Sequence, residues 1–233
     1  MNPAKQDDRT LHTNIGDFPL DEYRLKLSGQ EWKILHVSAV LSQVEESHFL
    51  RELKDKLPYG VTLWASGIAL AHEIVSRAET FRTKRVLELG SGTGLPGIVA
   101  ASCGASVVQT DRNELALSVC RRNVALNRIE TIEQRLVDWS DWNDAGKYDW
   151  ILGSDILYAE ETHQYLQRIF ENNLAPEGRV LLSDPFREPS IKLLENLERN
   201  GWSISMSKWN IGEGVSLRST GVFELAAIST KSR

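Results

Sequence analysis

Cysteine is scarce in this 233-residue chain: only Cys103 and Cys120 occur, and no C-x-x-C pair is present. A disulfide-stapled scaffold is therefore excluded, and both thiols are expected to be reduced groups on helices packed against a sheet. The histidines (His12, His36, His48, His72, His163) are scattered without ligand spacing, so no metal site is expected. An excess of basic charge is also missing. Lys+Arg number 27 against 32 Asp+Glu, a net charge of −5, which argues against a general affinity for phosphate backbones and hence against nucleic acid as a partner. No apolar run approaches the roughly eighteen residues of a membrane span, and the first residues lack the apolar core of a secretion signal. The expectation is a soluble, cytoplasmic protein without a membrane partner. Repeats and low-complexity segments are absent too.

What is present is concentrated in Val86-Leu87-Glu88-Leu89-Gly90-Ser91-Gly92-Thr93-Gly94-Leu95-Pro96-Gly97, a short apolar strand, a glycine-dense turn and a helix start. Glycines at 90, 92 and 94 permit positive φ and let a ligand approach the main chain. About twenty residues later Asp111, followed by Arg112, closes the next apolar run, where a ribose diol needs an acceptor. Two ligands fit this pattern. Gly92-x-Gly94-x-x-Gly97 satisfies the dinucleotide fingerprint, which keeps an NAD enzyme in play. Read from Glu88, the order acid-x-Gly-x-Gly-x-Gly is similar to motif I of the class I S-adenosylmethionine-dependent methyltransferases. A carboxylate there suits a ligand with an ammonium group better than a pyrophosphate; alternatively, Glu88 serves nearby backbone amides.

Periodicity gives the architecture. Residues 1 to about 18 are polar and are expected to form a mobile tail. Tyr23–Leu27 and Trp32–Val37 flank Ser28-Gly29-Gln30, which predicts a hairpin, while 45–57 carries too little periodicity for an assignment. A helix is predicted from Ile68 to Ala78. Strands follow at 84–89, 105–110, 131–137, 148–153 and 178–183, alternating with helices at 96–103, 113–127, 160–174 and 189–200. That alternation implies a doubly wound, mostly parallel sheet. Trp202–Trp209 and Gly221–Ile228, joined by a polar segment too short for a crossover, should pair antiparallel. The expected division is 1–58 as tail and hairpin extension and 59–233 as the catalytic domain.

Candidate chemistry falls at strand ends. Asp138 and Trp139 offer an acceptor and a flat ring to an adenine, or else cap a turn and cover the core. Asp155 and Tyr158 follow the fourth core strand, at the edge where open α/β sheets bind ligands. Ser183-Asp184-Pro185-Phe186 reads as a turn, although Arg187 and Glu188 beside it could face substrate.

Taken together, Glu88-Leu89-Gly90-Ser91-Gly92-Thr93-Gly94-Leu95, Trp64-Ala65-Ser66-Gly67 and Asp155-Ile156-Leu157-Tyr158 resemble methyltransferase family 16, a group that includes protein-lysine methyltransferases. The resemblance covers roughly residues 60 to 228. It implies a Rossmann-like, seven-stranded class I methyltransferase fold with an antiparallel C-terminal hairpin, and S-adenosylmethionine as cofactor. It further implies a cofactor site at Trp64, Glu88, Gly90, Ser91, Gly92, Thr93, Gly94, Asp111, Arg112, Asp138, Trp139 and Asp155, with Asp155 and Tyr158 beside the target amine. A protein lysine is the expected acceptor. A small-molecule acceptor, an NAD-dependent oxidoreductase and a non-catalytic binding module are the competing readings.

Overall fold

The computed structural model describes residues 9–14, 16–48, 59–212 and 217–228. The N-terminal part holds two hairpins, β1 (Thr10–Thr13) with β2 (Gly16–Pro19) and β3 (Asp21–Leu27) with β4 (Gln30–His36). A short β5 (Ser38–Val40) leads to α1 (Gln43–His48), and β5 pairs in parallel with β6 (Thr62–Trp64), which runs directly into α2 (Ala65–Ser76). The Rossmann-like core then alternates: β7 (Arg85–Leu89), α3 (Leu95–Ser102), β8 (Ser106–Asp111), α4 (Glu114–Leu126), β9 (Ile132–Leu136), β10 (Tyr148–Ser154), α5 (His163–Asn173), β11 (Leu174–Asp184) and α6 (Glu188–Arg199). It closes with β12 (Trp202–Ile211) and β13 (Arg218–Ala227).

Seven strands form one sheet in the order β12-β13-β11-β10-β7-β8-β9. β7 to β11 pair in parallel, whereas β13 is antiparallel to both β11 and β12. The order reverses beside β7, the switch point at whose carboxyl edge open α/β sheets bind their ligands. The central strands are apolar on both faces because both are covered. Val86, Leu152 and Leu181 pack with Ile68, Ile74, Ile98 and Val99 of α2 and α3; Leu87, Ile151 and Val180 pack with Leu166, Phe170 and Leu193 of α5 and α6. The hairpin β3–β4 lies over the first layer, with Trp32 donating from Nε1 to Ser102 Oγ at 3.1 Å.

The free edge of β4 is satisfied by α4 instead of a strand. Asn123 Oδ1 accepts from Leu35 N (2.7 Å), and its Nδ2 donates to the Leu35 carbonyl (3.0 Å). One turn on, Asn127 bonds Lys33 N and O in the same way, at 3.0 and 2.7 Å. Two side-chain amides thus stand in for a neighbouring strand's peptide groups at alternate residues.

The expected hairpin, core strands, helices and antiparallel ending are all found, with boundaries shifted by a few residues. The tail is different. Residues 10–19 form β1–β2, and Leu11 and Leu20, both nearly fully buried, pack with Leu35, Val61 and Val119. Isolated leucines in a polar context give no periodic signal, yet each has a long-range partner to bury against. Residues 1–8 lie outside the described residues. α1 (Gln43–His48) runs into the segment left unassigned, 45–57, of which 49–57 lie outside the described residues, as does 58. No helix among the described residues is long and apolar enough to cross a membrane.

Candidate active site

The turn after β7 is built around positive φ. Gly90, Gly92 and Gly94 have φ of 63°, 53° and 83°. At Gly90 a Cβ would lie 2.8 Å from Ile156 Cγ2 and 3.4 Å from Trp139 Cζ2, so bare backbone, an aliphatic tip and an indole edge meet at one point. At Gly94 a Cβ would lie 2.3 Å from the Sγ of Cys120. The turn is cross-braced by Ser91 N donating to the Thr110 carbonyl (2.9 Å) and Gly94 N to the Ser91 carbonyl (2.7 Å). Ser91 and Thr93 are buried within it, and the Thr93 carbonyl accepts from Asn123 Nδ2 at 2.9 Å.

Glu88 is 1 % exposed and turned toward α3. Its Oε2 accepts from Gln109 Nε2 at 2.7 Å, and the Gly97 amide also donates to the carboxyl. Burial pushes its pKa up to about 8, against the opposing pull of those hydrogen bonds. Gln109 also donates to the Gly94 carbonyl at 3.0 Å, so Glu88 and Gln109 support the turn from behind.

Asp111 ends β8. Its Oδ2 accepts from Gly92 N (3.0 Å) and its Oδ1 from Asn113 N (2.9 Å), while burial raises its pKa. Each oxygen keeps a lone pair for a further donor. Arg112 is largely exposed, 4.0 Å from Asp138 Oδ2. Asp138 caps a 3-10 turn at Trp139–Asp141, its Oδ1 accepting from Ser140 N and Oγ, both at 2.9 Å; the Ser140 amide is the main cause of its lowered pKa. Trp139 is partly buried against the slot beside Gly90. Trp64 occupies the N-cap of α2, its ring stacked on Tyr59 at 6.2 Å and its Nε1 donating to the Tyr59 carbonyl at 3.4 Å. The adjoining Ser66 is fully buried, its Oγ without a hydrogen-bond partner among the described residues, and its carbonyl accepts from Ser183 Oγ at 2.8 Å.

Asp155 sits just past β10 with φ of 58°, a conformation that costs a non-glycine residue about 1–2 kcal/mol. It is fixed at both ends: its N–H donates to the Ser183 carbonyl (2.9 Å) and its Oδ1 pairs with Arg187 Nη1. Arg187 Nη1 also reaches Asp184 Oδ2 at 3.1 Å, and Nη2 reaches Glu46 Oε1 at 2.9 Å. Arg187 N donates to Asp184 Oδ1 at 2.7 Å. Asp184 is fully buried, which raises its pKa. Glu46 Oε2 in turn pairs with Arg218 Nη2. Tyr158 is 59 % exposed, and among the described residues no hydrogen bond joins it to Asp155.

The sequence-predicted residues thus fall into two groups along one sheet edge. Gly90 packs against Trp139, Asp111 holds the turn through Gly92 N, and Arg112 and Asp138 stand beside Trp139, while Asp155 joins a carboxylate–guanidinium cluster. Glu46 and Arg218 of that cluster were not anticipated. Ser42-x-x-Glu45, a capping box in which Glu45 N donates to Ser42 Oγ at 3.2 Å, is the signal that places Glu46 on a helix. Nothing local marks Arg218. No group of metal-binding side chains occurs among the described residues. The bare backbone at Gly90, flanked by apolar and aromatic atoms with carboxylate acceptors beyond them, fits an adenosine.

A family model described as lysine methyltransferase matches residues 43–199. The chain belongs to this lysine methyltransferase family. It is 34 % identical over 179 residues to protein N-lysine methyltransferase METTL21A of Danio rerio, covering 74 % of this chain and 72 % of that protein. Histone-arginine methyltransferase METTL23 of Xenopus laevis is 38 % identical over 106 residues, covering 43 % of this chain and 45 % of that protein. Among solved structures, the T. thermophilus 16S rRNA methyltransferase RsmC in complex with AdoMet and guanosine superposes with a TM-score of 0.61 at 15 % identity, over 89 % of this chain and 50 % of that one; it carries the class I fold alone. The lysine methyltransferase family member described here is an S-adenosylmethionine-dependent enzyme, and the dinucleotide reading of its glycine spacing is set aside.

Proposed function

We propose that this enzyme transfers a methyl group from S-adenosylmethionine to the side-chain amine of a lysine in a protein. One observation carries the reading: a strained, immobilised carboxylate, Asp155, and an exposed phenol, Tyr158, follow β10 at the same carboxyl edge as the glycine turn. The similarity to METTL21A extends over most of the chain, whereas that to the arginine enzyme METTL23 covers less than half, which favours lysine. In this reading 59–233 form the catalytic domain and 1–58 an extension whose described residues pack on it.

The cofactor supplies an electrophilic methyl on a positively charged sulfur. The main chain of Gly90, Ser91, Gly92, Thr93 and Gly94, with Glu88 behind it, seats the cofactor, and Trp64 borders the seat at the start of α2. Asp111 accepts from the ribose hydroxyls, Asp138 from the adenine amine, and Trp139 and Ile156 cover the ring faces; Arg112 stands beside Asp138. A lysine ammonium with a pKa near 10.4 must lose a proton before it can attack. Asp155 accepts hydrogen bonds from the incoming amine and Tyr158 orients its lone pair, so that alignment supplies much of the rate.

The test is Asp155→Ala, assayed with methyl-labelled S-adenosylmethionine and lysate protein. Label in wild-type reactions should be recovered as methyl-lysine by mass spectrometry. The variant should lose turnover and keep S-adenosylhomocysteine affinity within about twofold; unimpaired turnover removes Asp155 from the mechanism.

A further inference from the structure

Asp155 is held by a relay that begins in α1, more than a hundred residues earlier in the chain. Its guanidinium partner, Arg187, has both terminal nitrogens engaged. Nη1 is shared by Asp155 and Asp184, and Nη2 is taken by Glu46. Asp184 also accepts from the Arg187 main-chain N–H, which fixes the root of the side chain. Among the described residues the far edge of the planar fork is fixed by Glu46 alone, and a fork held at one edge is free to swing about its last bonds.

We infer that Glu46 is a positioning residue for methyl transfer, locking the fork of Arg187 and thereby aiming the Asp155 carboxylate at the acceptor amine. The inference rests on the reading of Asp155 as the acceptor-facing group. Glu46 is well placed for this. Its second oxygen pairs with Arg218, which is 4 % exposed and whose Nε and Nη1 have no partner, so Glu46 is the one carboxylate that Arg218 meets among the described residues. Arg218 begins β13 and sits opposite Ile211 in the sheet, which anchors Glu46 to the rigid core. The first turn of α1 is itself fastened, Glu45 N donating to Ser42 Oγ at 3.2 Å and Leu41 N to Glu45 Oε2 at 2.9 Å. Three carboxyl groups, Asp155, Asp184 and Glu46, face two guanidiniums, Arg187 and Arg218. With Glu46 neutralised, the freed arm of Arg187 turns to the remaining carboxylates and competes with the acceptor amine for Asp155.

The experiment compares E46Q, E46D, R187K and D155A with wild type. Initial rates of labelled methyl incorporation are measured against lysate protein concentration, and S-adenosylhomocysteine affinity by calorimetry. E46Q should lower apparent kcat about tenfold to a hundredfold, the scale of a small misplacement at a reacting centre, with apparent KM and S-adenosylhomocysteine affinity within about twofold. E46D should recover part of the rate. Because E46Q strips Arg218 of its partner and risks misfolding, R187K, which keeps the charge but has no fork to span Asp155 and Glu46, must show the same kcat-selective loss. Full kcat in a folded E46Q or R187K, or a loss that tracks weakened S-adenosylhomocysteine binding, overturns the inference while D155A stays inactive. An active D155A instead removes the underlying reading of Asp155, and the inference with it.

Discussion

Substituting Glu88 by Gln should make the protein more stable at neutral and alkaline pH and leave it unchanged in acid. Burial lifts the Glu88 carboxyl from 4.5 to about 8, so the folded protein holds a proton there that the unfolded chain releases earlier. A raised carboxyl pKa means that the associated stability is complete below pH 4.5, declines as the unfolded chain ionises, and is gone above about 8. Each pH unit in that window costs about 1.36 kcal/mol, which sums to about 5 kcal/mol across it. Gln has the same shape, keeps an acceptor for Gln109 Nε2 and the Gly97 amide, and cannot ionise. Urea unfolding of both proteins from pH 5 to 8 gives the test. Buried carboxyls that do not act on Glu88, such as Asp184, titrate equally in both proteins and cancel in the difference. The advantage of the variant should grow from below about 1 kcal/mol at pH 5 to about 4 kcal/mol at pH 8. A difference that stays constant across this range refutes the assignment of a neutral, buried Glu88.

Asp111→Ala should weaken S-adenosylhomocysteine binding about tenfold or more, the value of losing hydrogen bonds to a charged acceptor; unchanged calorimetric affinity rejects its ribose role. Gly94→Ala places a Cβ 2.3 Å from the Cys120 Sγ at φ of 83°, so left-handed strain and overpacking together should cost about 2–5 kcal/mol in denaturant unfolding. A stability within about 0.5 kcal/mol of wild type would show that the turn yields without strain.

Legibility in the sequence followed the range of the interaction responsible. Strands such as Val86–Leu89 and Val107–Thr110 and the glycines between them declare themselves because periodicity and backbone conformation are local properties. Asp111 and Asp138 are legible as candidates because both follow strands that end at the carboxyl edge of the sheet. Glu46 and Arg218 were not, since their meaning comes from a salt bridge between α1 and the last strand, 172 positions apart in numbering. The β1–β2 hairpin was missed for a related reason: Leu11 and Leu20 matter through Leu35, Val61 and Val119. Glu88 was recognised as unusual from its spacing, but its burial and its bonds to Gln109 and Gly97 required coordinates.

The carboxamide of Asn123 grips both the margin of β4 and the carbonyl of Thr93. One small group therefore fastens the amino-terminal ribbon to the nucleoside cradle. Any free energy by which a ligand at the glycine turn restrains the ribbon through this amide is matched by that with which the ribbon restrains the turn. A segment that looks in the sequence like a decorative prefix is, in this molecule, hydrogen-bonded through one side chain to the glycine turn after β7.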